Sequence, residues 1–106
     1  MAWNPLPQSW IPSLTDNGTV LSANISDFPE LTAAEIDSVT GDIRKFLFAF
    51  CEKMWSVWSS LLTADKSLKM TLAKTVSVNP ITGVITNTYT FVFLTAVSSQ
   101  EVVSET

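Results

Sequence analysis

Ten carboxylates, six basic side chains, one tyrosine, one thiol and no imidazole are the groups from which this sequence would have to build any chemistry. Without histidine, the Ser–His and Cys–His nucleophilic arrangements are excluded, and so are the usual zinc ligand sets. A hydrolase can work with two paired carboxylates. The nearest group in sequence is Glu35, Asp37 and Asp42. All three fall where helix starts are expected, and capping and the helix dipole account for acidic residues there. Asp16-Asn17-Gly18 begins like a calcium loop, but the further acidic residues at the required spacing are missing, so it reads as a turn. The three glycines are not grouped into a phosphate-binding loop. Cys51 stands beside Phe50 in an apolar stretch, the setting of a buried, inert thiol. The expectation is a protein that is not an enzyme, with no catalytic, cofactor-binding or metal-binding residue and no cofactor.

Composition points instead to surface. Apolar residues make up 46% of the chain and charged residues only 15%, against about 25% charged in an ordinary globular protein. A small chain with so few charges is expected to hide some of its surface against another molecule. The net charge of −4 and the lack of a basic stripe disfavour nucleic acid as a partner. The opening "MAWNPLPQSW" has neither a basic nor an apolar signal-peptide region. The length suits one domain at most.

The segment that must hold such a surface is "KFLFAFCEKMWSVWSSLL", residues 45–62. On a wheel of about 100° per residue, Ile43, Phe46, Leu47, Phe50, Met54, Val57, Trp58 and Leu61 cluster together. Cys51, Leu62, Trp55 and Phe48 extend the apolar arc to about 200°, twice the stripe of an ordinary amphipathic helix. A helix over about 41–62 is therefore expected to use one part of the arc against its own chain. Phe46, Phe48, Phe50, Met54, Trp55, Trp58 and Leu62 are the expected oligomer interface. The uninterrupted apolar run is only Phe46–Cys51, between Arg44-Lys45 and Glu52-Lys53, too short to span a membrane. A shorter helix is expected before it, over 32–39, opened by the Thr32/Glu35 capping box. Ser38 or Thr40 is the expected cap of the main helix.

After Thr63–Lys66 the period changes to two. "LKMTLAKTVSV" (68–78) and "VITNTYTFVFL" (84–94) alternate apolar residues with threonine and serine, as half-buried strands do. Between them Pro80 and Gly83 supply hairpin-loop chemistry. In the first strand Lys74 falls on the apolar face as an exception. Val20–Ile25 and Glu101–Val103 are candidates for further strands. Residues 1–30 lack any period, hold four of the five prolines and yet carry Trp3, Leu6, Trp10 and Ile11. They read as an extended arm whose anchors either fold back on the domain or seat on a partner; the partner role is the expectation for these four residues. Residues 31–94 form the α+β domain, a helix packed on a C-terminal antiparallel hairpin, and 95–106 a polar tail.

The order "FPELTAAEIDSVTGDIRKFLFAF" followed by "KMTLAKTVSVNPITGVITNTYTFVF" resembles small virion proteins of tailed bacteriophages, over residues 28–94. The resemblance implies a structural protein of a phage particle, located in the virion and in the host cytoplasm during assembly. A capsid decoration (cement) protein acting as a homo-oligomer, expected to be a trimer, is the first form this takes. Its partners would be copies of itself and the major capsid protein or another virion protein. A tail, baseplate or fibre subunit is the alternative, and a small adaptor or inhibitor of a host protein is a further one.

Overall fold

A computed structural model describes residues 3–99 and 101–105; Met1, Ala2, Gln100 and Thr106, at the ends of the expected arm and tail, lie outside that range. The chain is α+β. A small hairpin of β1 (Thr15–Asp16) and β2 (Leu21–Ser22) comes first. The helix α1 (Ile43–Ser60) follows, and then a long antiparallel hairpin of β3 (Met70–Val78) and β4 (Ile85–Phe93).

Asp42, not Ser38 or Thr40, caps α1. Its backbone is extended and its carboxylate accepts the Arg44 amide at 2.9 Å, while the Arg44 guanidinium closes on the same carboxylate at 2.7 Å. At the other end Leu61 turns to extended geometry and stops the helix. The expected short helix at 32–39 is a run of turns. Both capping-box bonds form, Thr32 amide to Glu35 Oε1 at 2.9 Å and Glu35 amide to Thr32 Oγ1 at 3.4 Å. No helix propagates from them, because Asp37 draws the amides of Val39 and Thr40 onto its own carboxylate, each at 2.9 Å. The Asp42 amide then closes the turn onto the Glu35 carbonyl at 2.9 Å. Gly41 sits where a Cβ would lie 2.5 Å from that same carbonyl oxygen, so the turn needs glycine.

β3 and β4 pair without a bulge from Met70↔Phe93 to Val78↔Ile85. Their loop runs through Gly83 at φ 73°, which donates its amide to the Asn79 carbonyl at 2.8 Å. The register places Met70, Leu72, Lys74, Val76 and Val78 opposite Phe93, Phe91, Tyr89, Asn87 and Ile85, all on one face. On this face Leu72 is buried, whereas Val76 and Val78 toward the loop are exposed. Neither candidate extra strand joins this sheet. Leu21–Ser22 pairs with Thr15–Asp16, and the 101–103 segment makes a single bridge, Val102 to Thr95.

Residues 3–30 fold back on their own chain. Trp3 and Trp10 meet edge to face at 5.9 Å and both reach Trp58 of α1, at 6.4 and 6.3 Å. Ile11 and Phe28 are buried with Ala49, Met54, Trp58 and Leu72 in one small core. Leu6 alone of the four expected anchors is left outside, 64% exposed. The fold-back is fastened by Asp27, whose carboxylate accepts the Ser13 amide at 2.9 Å and the Ser13 hydroxyl.

Because Trp3, Trp10 and Ile11 supply a large part of a small core, removing residues 1–14 is expected to destabilise the domain itself. The melting temperature should fall by more than about 10 °C, given roughly 4–8 °C per kcal/mol for a domain of this size. Circular dichroism melting of the full-length and truncated chains measures this, and equal melting would show that helix and hairpin stand without the arm.

Candidate interaction surface

The groups able to do chemistry are tied into structural contacts. Glu52 on α1 accepts the Lys74 ammonium at 2.6 Å and the Tyr89 hydroxyl on the same oxygen. The Lys74 ammonium also lies 5.5 Å from the centre of the Tyr89 ring, and Phe48 stands edge-on to that ring at 6.3 Å. The lysine that breaks the alternation of β3 is thus the electrostatic bolt between helix and hairpin. Its one signal in the sequence was a charge on an apolar face; the partner, Glu52, read as a member of the polar side of the helix.

Several other acids are local fasteners. A hydrogen bond from the Arg44 guanidinium and another from its amide hold the Asp42 carboxyl at about 2, below its ordinary 3.8. The Ser13 hydroxyl and amide lower Asp27. In the C-terminal segment the Ser67 hydroxyl and then the Leu68 amide lower Glu105, which accepts the latter at 2.7 Å. Burial raises the Cys51 thiol, and Glu52 beside it adds to the effect. Among the described residues no group of three histidine, cysteine or acidic side chains is placed to hold a metal ion. Among them, too, no helix is long and apolar enough to cross a membrane.

The expected interface residues separate into two sets. Met54 and Trp58 are buried inside the chain's own core, and Phe46, Phe50 and Trp55 are half-buried. Phe28 lies tilted against Phe46 at 6.1 Å and stacks on Phe50 at 6.3 Å, so the N-terminal segment already packs against both rings. Phe48 and Leu62 stay exposed, together with Ile43 and Leu47. Between the N-terminal segment, α1 and the base of the hairpin runs an apolar groove of about 600 Å³, with Trp3, Leu6, Leu47, Phe50 and Phe93 in its walls.

The larger feature is the surface as a whole. The chain exposes 7873 Å², while a compact monomer of this mass exposes about 5,800 Å². Its radius of gyration is 16.2 Å, against about 13 Å for a compact domain of such length. No described side chain is fully buried. At the loop end of the β3–β4 hairpin Val76, Val78, Ile81 and Val84 are exposed to solvent. Comparison with protein families, with characterised proteins and with solved structures finds no match to this chain.

Two expectations follow from the charged contacts. Glu52→Ala strands a lysine whose side chain is only 18% exposed, and should cost about 1–3 kcal/mol. Adding Lys74→Met in the same chain should recover most of that loss, because a methionine fills the space without a charge to solvate. Denaturant unfolding of both variants measures it; a harmless Glu52→Ala would show that Lys74 is solvated. The lowered carboxyls set an acid limit. A depressed folded pKa adds stability that is complete above the unfolded value, 3.8 for Asp42, and is lost as pH falls through about 2. Melting temperature should therefore decline between those values, and decline less steeply for Asp42→Asn. A profile flat down to pH 2 in the native sequence would rule the capping role out.

Proposed function

We propose that this chain is a non-enzymatic structural protein that acts as a homo-oligomer on a larger assembly, as the decoration proteins on the shells of tailed bacteriophages do. The observation that carries this reading is the surplus of about 2,000 Å² of surface over a compact monomer. That is more than the roughly 800 Å² that a specific protein–protein interface of standard size removes from each partner, so every copy has surface for at least one such contact. The exposed hairpin is apolar and threonine-rich rather than basic, which suits protein contacts over a nucleic acid. The titratable groups support the same view, since the carboxyls with lowered pKa values fasten turns and segment ends.

The test is quantitative mass spectrometry of purified phage particles from a host expressing the chain. The reading expects the protein in many copies per particle, retained through density-gradient purification. Recovery only in the soluble host fraction, bound to a single host protein, would overturn it in favour of an adaptor.

A further inference from the structure

We infer that β4 (Ile85–Phe93) is an interface strand that pairs, antiparallel and across a two-fold axis, with β4 of a second copy of this chain, giving a continuous four-stranded sheet. The inference rests on the assembly reading and names the contact that reading needs. The long sheet has only two strands among the described residues, so both its edges are open. Natural edge strands are guarded by a charge, a proline, a bulge or short length. β4 has none of these: it is nine residues long and pairs without interruption. The stretch from Thr75 to Ser99 contains no Asp, Glu, Lys or Arg. The β3 edge differs, for Lys74 lies at its centre, Lys69 just before it, and α1 packs against that strand.

The backbone of β4 is ready to pair. The Asn79 amide donates to the Val84 carbonyl at 2.8 Å and the Leu94 amide to the Lys69 carbonyl at 2.9 Å. Antiparallel alternation between these ends turns the amides of Thr86, Thr88, Thr90 and Val92 toward β3. It turns those of Asn87, Tyr89 and Phe91 outward, along the open edge. A second copy is the occupant that fits. Two chains of net charge −4 repel each other except where charge is absent, and the uncharged hairpin is where they can approach. A hairpin alone is marginal in water, whereas four strands with an apolar face are not. The surface surplus of each copy exceeds the roughly 800 Å² per partner of a standard interface, so the contact has surface to draw on. Pairing of like strand with like strand closes at two copies, so it predicts a dimer and not the trimer expected from the helix arc.

The experiment is sedimentation equilibrium of the full chain from low to high micromolar concentration, with amide hydrogen exchange read by NMR. The inference expects a dimer in which the Asn87, Tyr89 and Phe91 amides exchange as slowly as those of Thr88 and Thr90. Asn87→Pro removes an outward donor while leaving the β3 ladder whole. Thr88→Lys adds the missing edge charge without touching the backbone. Each should raise the dimer dissociation constant at least about tenfold and keep the monomer's circular dichroism spectrum. An oligomer whose outward amides exchange fast, or one with an odd number of copies, overturns the strand pairing. So does a monomer throughout the range, or a dimer that Thr88→Lys leaves unchanged. A monomer still retained on particles would overturn the pairing alone. A dimer with protected amides that is absent from particles would overturn the particle reading alone.

Discussion

The indole of Trp58 is the contact on which the rest of the chain depends. It lies in the last turns of α1, and three side chains from two segments close over it: Trp3 and Trp10 from the N-terminal segment and Lys66 from the loop after the helix, whose ammonium stands 5.3 Å from the ring centre. One helical turn back, Met54 is buried in the same cluster as Leu72 of β3. A single helix thus serves as the wall for two layers. Neither layer has a core of its own. The N-terminal segment holds only two-residue strands, and the long hairpin has only two strands to bury its apolar face.

That arrangement explains where the charges sit. With so small a core, the segment ends have to be tied by hydrogen bonds rather than by packing. Asp27 fastens the N-terminal segment through Ser13, Asp42 starts the helix, Glu105 anchors the C-terminal segment through Ser67 and Leu68, and Glu52 bolts helix to hairpin. Each carboxylate accepts more than one donor, which is what makes single acidic side chains effective fasteners on a wet surface.

Much of the architecture was legible from pattern. The wide arc at 43–61 and the period of two on either side of Pro80 and Gly83 belong to local sequence, and local geometry answers to them. What was not legible was which surface each apolar group meets. Trp3 and Trp10 on a proline-rich segment satisfy a self-contact and a partner contact equally well in one dimension; only the position of Trp58 in space separates the two. Residues 32–39 mislead for a different reason. Thr32 and Glu35 make their capping bonds, but Asp37 and Gly41 compete for the same backbone and win, so helix-start chemistry serves a turn. The tie between Glu52 and Lys74 stayed hidden because it crosses from one period to another, though a lysine on an apolar strand face was a visible request for a buried acid.

The distribution of charge along the chain carries the functional argument further than the fold does. Every acidic residue lies at or before Asp65 or in the C-terminal segment from Glu101 on, and every basic residue at or before Lys74. The hairpin beyond Lys74 is therefore electrically silent, while the net negative charge lies in the chain up to Lys74 and in Glu101 and Glu105 of the C-terminal segment. Beyond roughly 8–10 Å, salt screens that field, so it acts only once two copies are close. At that range it disfavours approach through the charged parts of the chain and leaves the hairpin as the surface free of repulsion. The threonines on the face away from the helix, Thr71, Thr75, Thr86, Thr88 and Thr90, are exposed and keep that surface wettable without charging it. A strand built this way stays soluble through its hydroxyls and is selective through the charges it lacks. The inferred pairing at this edge would need no bound ligand or chemical step, only a second copy that meets the uncharged hairpin.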